Sequence, residues 1–352
     1  MTITRRQAVM GASALAGLAA TQTHAAGRPE LARKLPRWRG FNLMEKFTLA
    51  GNRPYEEWDF QFCRDNGFGY LRLPLDYRIW TGPDGNWREQ PLKDIDLALD
   101  YGRKHSIHIT LCLHRVPGYC INLPKEERDL WTDPQAQDQF ADQWRRFAAR
   151  YRGISSEQLS FNLLNEAPDI AEDVYEKIVR IAVEAIRAED PARLIIADGR
   201  GGGRKPTYSL APLQIAQAGR GYEPFHLTHY CADWVEGSRN WPVPTWPLRE
   251  DNREITAQTL WQEQIEPWFK LEAMGVGILI GEWGAYNKTP HPVTLSWMQD
   301  SLANWRKAGW GWSLWNLRGA FGPIDSDRPD ATYTKIGGHM IDTKMLQILQ
   351  AG

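Results

Sequence analysis

Residues 159–199 read LSFNLLNEAPDIAEDVYEKIVRIAVEAIRAEDPARLIIADG, a strand, a helix and a second strand in one short stretch. The apolar runs Leu159–Ala167 and Arg193–Gly199 have strand length. Between them Val174, Ile178, Ile181, Ala182 and Ala185 recur at the spacing of one buried helix face. The same unit repeats in both directions. Further candidate strands are Trp38–Leu43, Tyr70–Asp76, His108–Arg115, Pro224–Cys231, Val276–Gly284 and Gly309–Asn316. Helical patterns fall between them at Tyr55–Asn66, Leu92–His105, Gln135–Tyr151, Ile255–Met274 and Val293–Lys307. A shorter one is expected near Ala211–Ala218, and a last one near Ile336–Leu349. Strands and helices in strict alternation predict an α/β protein, a single (β/α)8 TIM barrel. An open doubly wound sheet would show a phosphate-binding glycine turn after its first strand, and Gly40-Phe41-Asn42 offers none. The later run Gly199-Arg200-Gly201-Gly202-Gly203-Arg204 lacks that register and reads as a flexible loop.

The 352 residues, 42% of them hydrophobic, suffice for one barrel, and neither an internal repeat nor an interdomain linker interrupts them. Lys and Arg number 42 against 43 Asp and Glu, with no long run of one sign, which argues against a nucleic-acid partner. Seventeen tryptophans are several-fold more than usual and favour a flat apolar ligand such as a sugar ring.

Residues 1–26 read as an export signal, with residues 27–352 as the catalytic barrel. Arg5-Arg6 precede a mild Ala/Gly/Leu stretch, and small residues around Thr23-His24-Ala25-Ala26 supply a cleavage site. Paired arginines before a weakly apolar segment resemble a twin-arginine signal, and a Sec signal is the alternative. The expected location is therefore the periplasm or the exterior. No later segment has 18 uninterrupted apolar residues, so a mature protein without a membrane span, and a monomer, is expected. Cys63, Cys112, Cys120 and Cys231 contain no CxxC, which leaves two disulfides or buried free thiols open and makes zinc or redox motifs unlikely. Neither a metal nor a cofactor is expected.

On a barrel, residues that end each strand face the active-site mouth. The fourth candidate strand ends Leu163-Leu164-Asn165-Glu166-Ala167-Pro168, and the seventh ends Leu279-Ile280-Gly281-Glu282-Trp283-Gly284. Each places one acid directly after an apolar strand, where a free carboxylate is costly unless paired or used. Two such acids are the minimum equipment for glycoside hydrolysis. The absence of HExxH and GxSxG leaves metalloprotease and serine-hydrolase readings without their motifs.

Asn165-Glu166-Ala167-Pro168 resembles the Asn-Glu-Pro motif of the cellulase-type clan of barrel glycosidases, with Ala inserted before the proline. Glu282 in Ile-Gly-Glu-Trp-Gly resembles that clan's strand-seven nucleophile, and landmarks from Arg39-Gly40-Phe41-Asn42 to Trp315 fit glycoside hydrolase family 5. The resemblance implies a retaining β-glycosidase acting on polysaccharide or oligosaccharide, a β-glucan by preference. It makes Glu166 the general acid/base, with a raised pKa, and Glu282 the nucleophile. It implies that Arg72 orients the nucleophile, that His114 bonds near the sugar, that Asn165 binds the sugar 2-hydroxyl and that Trp315 is the platform under the reacting ring. The family usually has His and Tyr two residues apart on strand six. Here the run is His226-Leu227-Thr228-His229-Tyr230, where alternation separates His229 from His226 and Tyr230. A bulge or strand end would bring His229 and Tyr230 into the site as the favoured pair, leaving His226 in the core. The tryptophans after strand six (Trp234, Trp241, Trp246) either wall a sugar cleft or pack as a lid, and Trp80, Trp87 and Trp131 add candidate lining. The competing class is a catalytically inactive barrel that binds carbohydrate.

Overall fold

A computed structural model describes residues 28–250 and 252–352, so the expected export signal at 1–26 lies outside the described residues. Eight parallel strands close into a barrel in the order 1-2-3-4-5-6-7-8. They are β1 (Arg39–Asn42), β2 (Tyr70–Asp76), β3 (His108–Arg115), β4 (Leu159–Asn162), β5 (Leu194–Asp198), β6 (Ala216–Gly221), β7 (Ile278–Trp283) and β8 (Gly311–Leu314). Helices Glu57–Asp65, Glu89–Lys104, Pro134–Arg150, Glu172–Glu189 and His291–Ala308 cover the outside. Odd residues Leu71, Leu73 and Leu75 of β2 face those helices, where they join the large apolar core. The barrel interior is layered instead. Tyr70, Leu194, Ile196, Ala216, Ala218 and Leu279 fill its lower end against Ala32 and Leu35, and polar side chains take the upper end. Among the described residues no helix is long and apolar enough to cross a membrane.

Strand six is where the sequence expectation is corrected. Pro224–Cys231 is not a strand: Phe225–Thr228 forms a single helical turn, and the barrel strand is Ala216–Gly221, which begins within the Ala211–Ala218 segment expected to be a short helix and runs past its end. That strand, Ala-Gln-Ala-Gly-Arg-Gly, has no large apolar residue to announce it. The physical reason lies outside the barrel. A Cβ on Gly221 would come within 2.6 Å of the Trp305 ring, and one on Gly219 within 3.3 Å of Trp268. Tryptophans from the covering helices supply the bulk that strand residues supply elsewhere. A 3-10 stretch, Tyr208–Leu213, stands where the fifth helix was expected.

Two further boundaries shift. The helix expected from Ile255 begins at Ala257, after a hairpin of Leu248–Glu250 with Arg253–Ile255, and runs to Ala273 through a π turn at Trp261–Ile265. The last expected helix divides into a hairpin, Tyr333–Ile336 with His339–Asp342, and a helix, Thr343–Ala351. Asp342 starts that helix by accepting from the Met345 amide at 3.0 Å.

Gly221→Val tests the packing of β6. Overfilling a packed site costs about 1–3 kcal/mol, so the variant should unfold at a clearly lower temperature in calorimetry. An unchanged Tm would mean that Trp305 does not dictate the glycine.

Candidate active site

The site begins with period-two alternation. On β2, Tyr70, Arg72, Pro74 and Asp76 point inward, which sets the Arg72 guanidinium in the upper interior with 1% of the residue exposed. Every arm of it is occupied. Nε donates to Asn162 Oδ1 at 2.9 Å, Nη1 to Asn42 Oδ1 at 2.8 Å and Glu282 Oε1 at 2.6 Å, and Nη2 to Asn165 Oδ1 at 2.8 Å and Cys112 Sγ at 2.9 Å.

Glu282 reaches this cation through an irregularity in β7. Leu279 packs inside the barrel, so alternation alone would send Gly281 inward and Glu282 outward. Both neighbours slip against β7 at this point. Gly219 pairs with Ile280 but Arg220 with Glu282, and Trp312 pairs with Ile280 but Leu314 with Trp283. A slip against both neighbours locates the extra residue in β7 itself, a bulge that turns Glu282 into the interior. Trp283 then faces outward and packs against Trp297, Trp305 and Trp312.

Glu166 sits just beyond β4 with a left-handed backbone, φ 50°. For a side chain with a Cβ that conformation costs about 1–2 kcal/mol. The residue is clamped at both ends. Its amide donates to Asp198 Oδ2 at 2.8 Å, and its carbonyl accepts from Tyr119 Oη at 2.6 Å. The Gly199–Arg204 run, expected to be flexible, is a tight turn that holds the same segment. Gly202 N–H donates to Ala167 O at 2.8 Å and Gly201 N–H to Pro168 O at 3.2 Å. Gly203 in this turn leaves room for Arg220, whose Cγ would lie 2.5 Å from any Cβ there.

Arg220, which was not among the expected site residues, contacts both acids. From β6 its Nε donates to Glu166 Oε1 at 3.1 Å, and its Nη2 reaches Asn165 Oδ1 at 2.8 Å, Glu282 Oε1 at 3.3 Å and Asp198 Oδ2. Two residues on, Tyr222 Oη donates to Glu282 Oε2 at 3.2 Å. Arg220-Gly221-Tyr222 therefore carries the paired positions that the family fills with His and Tyr, and the expected His229–Tyr230 pair is corrected. His229 lies behind Tyr222, edge-on at 5.3 Å, stacked on Phe225 at 4.0 Å, and Tyr230 stands partly exposed after the helical turn. His226 is exposed and paired with Glu250 rather than buried in the core. Had Ala216–Gly221 been recognised as a strand, the Arg-x-Tyr spacing was available to find the pair.

The other expected residues line the opposite wall. His114 bonds Asn122 Oδ1 through Nε2 at 2.7 Å, and its ring stacks on partly exposed Trp315 at 5.7 Å, with Phe47 edge-on to both. Asn165 Nδ2 and His114 Nδ1 are buried and find no hydrogen-bond partner among the described residues. Trp80 and Trp87 are not lining. Trp80 is fully buried and donates to Gln143 at 2.9 Å, and Trp87 packs on Phe147. Trp131 packs on Tyr119. Among the described residues no group of three or more His, Cys, Asp or Glu is arranged to hold a metal, and all four cysteines are free thiols.

The electrostatics separate the two acids. Burial, reinforced by the charge of Glu282 and by Asp198, pushes Glu166 up to about 7 against the opposing pull of Arg220. Glu282 is ion-paired to Arg72 and Arg220 together. Burial lowers His114 to about 3, so its imidazole acts as a neutral hydrogen-bonding group. Burial first, then Glu282, keeps the Tyr222 phenol protonated far above its usual range. One carboxyl able to hold a proton near neutrality, facing another held by two cations, is the equipment of acid/base and nucleophile.

The comparisons agree with this class of site. The family model for cellulase, glycosyl hydrolase family 5, matches residues 25–320. Endoglucanase C of Acetivibrio thermocellus is 26% identical over 289 residues, covering 74% of this chain and 83% of its own length. Cellodextrinase A of Ruminococcus flavefaciens is 25% identical, covering 69% and 73%. A solved glycoside hydrolase superposes with a TM-score of 0.85 at 38% identity, over 90% of this chain and 99% of that one. Thermotoga maritima Cel5A, at a TM-score of 0.72 and 21% identity over 91% and 99%, shares the fold. The chain belongs to glycosyl hydrolase family 5 and is a cellulase-like glycoside hydrolase.

Tyr222→Phe should lower kcat/KM about tenfold, since a hydrogen bond to a charged group contributes about 1.5–3 kcal/mol and this one is long. Tyr230→Phe should stay within about twofold of wild type. The reverse ranking in steady-state kinetics would restore the original strand-six assignment.

Proposed function

We propose that the protein is an exported, retaining β-glucan hydrolase in which Glu282 is the nucleophile and Glu166 the general acid/base. The observation that carries this reading is the shared Arg220 guanidinium, which draws both carboxylates to one point while burial keeps Glu166 protonatable. Such a close pair supports the retaining separation of about 5–5.5 Å over the inverting one of about 6.5–9.5 Å.

In the first step Glu282 attacks the anomeric carbon as Glu166 protonates the departing oxygen. Arg72 and Tyr222 fix the attacking carboxylate, so little reorganisation is needed at the moment of attack. Asn165 Nδ2, which has no partner among the described residues, donates to the sugar 2-hydroxyl in this reading, a contact that strengthens as the ring flattens towards the oxocarbenium ion. Trp315 carries the apolar face of the same ring. In the second step Glu166 takes a proton from water, which displaces Glu282.

The β-glucan preference rests on the names of the relatives, endoglucanase and cellodextrinase. Trp234, 58% exposed and packed at 6.1 Å on buried Phe321, which in turn meets buried Tyr222 at 6.3 Å, offers a further ring face to a sugar. Export rests on the sequence of residues 1–26.

Glu282→Ala should lose essentially all turnover of aryl β-glucosides or cello-oligosaccharides. Azide should restore it with a product of inverted configuration, and should restore Glu166→Ala with a retained one. Rescue with the configurations exchanged would swap the roles, and full activity in either variant would end the reading. The acid must be protonated to act, so kcat/KM should fall as pH rises through about 7, following the Glu166 value. A rate still climbing above pH 8 would contradict that assignment.

A further inference from the structure

The cation on β6 raises a question that the two-carboxylate scheme leaves unanswered. Histidine, the family's usual residue there, titrates near neutrality and can give up its proton. Arginine does neither. Arg220 is also too deeply set to touch a substrate as a surface group would, its side chain being 1% exposed.

We propose that Arg220 is the positioning residue of the acid/base, fixing the Glu166 carboxyl so that Oε2 carries the transferable proton and stabilising the carboxylate left after its transfer. The inference rests on the reading of Glu166 as acid/base. Its first support is geometric. Arg220 Nε–H occupies Glu166 Oε1, while Oε2 has no protein donor among the described residues. A protonated carboxyl accepts best at its carbonyl oxygen, so a permanent donor on Oε1 directs the proton to Oε2. Glu166, 15% exposed against 1% for its partner, is the member of the pair that opens to the cleft.

The second support is a charge count. Glu166, Glu282 and Asp198 meet Arg72 and Arg220 in one buried cluster. Three carboxylates against two guanidiniums leave one negative charge in excess, and a single proton neutralises it. Asp198 is bound to Asn162 Nδ2, the Glu166 amide and Arg220, and Glu282 is bound to both arginines and Tyr222. Among the described residues Glu166 meets one donor side chain, so the proton resides there. The remaining groups facing Glu166 are Arg204, from the turn after β5 and engaged with Glu223, and the neutral phenols of Tyr119 and Tyr222.

The proton ledger closes without another group. In glycosylation the Glu166 Oε2–H bond breaks as the leaving oxygen gains the proton, the glycosidic C–O bond breaks and a Glu282–carbon bond forms. In deglycosylation a water proton goes to Oε2, the water oxygen bonds to carbon and the Glu282 ester bond breaks. Arg220 stays protonated throughout and favours the charged form of Glu166 in the interval.

The test is the pH dependence of kcat/KM in wild type, Arg220→Lys, Arg220→Gln and Arg220→Met, on aryl glycosides of good and poor leaving groups. Glutamine still donates to Asp198 and keeps the experiment alive where methionine does not fold. Removing the cation disfavours ionised Glu166, so its pKa rises and the basic limb moves to higher pH. The neutral variants should shift that limb up by about one unit, a tenfold change in acid dissociation. They should also lose at least about tenfold more on the poor leaving group, which depends on the proton, than on the good one. Lysine should keep the limb in place. An unmoved limb in folded neutral variants, with an equal loss on both leaving groups, would reduce Arg220 to a structural residue and overturn the proposal. A basic limb that survives in Glu166→Ala would instead overturn the reading of Glu166, whatever Arg220 does.

Discussion

Two buried guanidiniums hold this site together. Charges taken out of water cost several kcal/mol each unless they are paired with good geometry and their remaining donors are satisfied. Arg72 and Arg220 meet that condition jointly, through Asn42, Asn162, Asn165, Asp198, Glu282 and Glu166. Those partners come from strands or strand ends around the barrel, so the network also fixes which strand ends can approach one another. Removing Arg220 would leave Asp198 buried without its counter-charge, and removing Arg72 would leave Glu282 with the longer 3.3 Å contact to Arg220 alone.

Backbone irregularities serve the same network. The β7 bulge turns Glu282 inward against the alternation of its own strand. The left-handed Glu166 is sustained because Asp198 holds its amide and Tyr119 its carbonyl. The glycine turn after β5 lets the Arg220 stem pass where any Cβ would obstruct it. Both irregularities lie at the ends of the strands that carry the two acids.

Much of this was legible in the chain. Strands 2, 3, 4 and 7 announce themselves as apolar runs, and the acids stand at the ends of two of them, so Glu166 and Glu282 were within reach of pattern reading, while Arg72, His114 and Asn165 came from the family resemblance. Strand six was not. Its Gly219 and Gly221 are small because Trp268 and Trp305 approach from other segments, a long-range cause that no local window contains. The strand begins eight residues before the apolar run Pro224–Cys231, so Arg220 and Tyr222, not His229 and Tyr230, reach the acids. Asp198 was hidden for another reason, since it closes its strand as a second buried acid whose partner is that same missed arginine.

We propose that Glu282, the carboxylate held by both arginines, is the one that bonds to sugar. Incubation with a 2-deoxy-2-fluoro-β-glucoside bearing an activated leaving group, followed by peptide mapping in a mass spectrometer, reads this directly. One stoichiometric covalent label on Glu282 is expected. A label on Glu166 or Asp198, or steady hydrolysis of cello-oligosaccharides with no label trapped on any carboxylate, would contradict it.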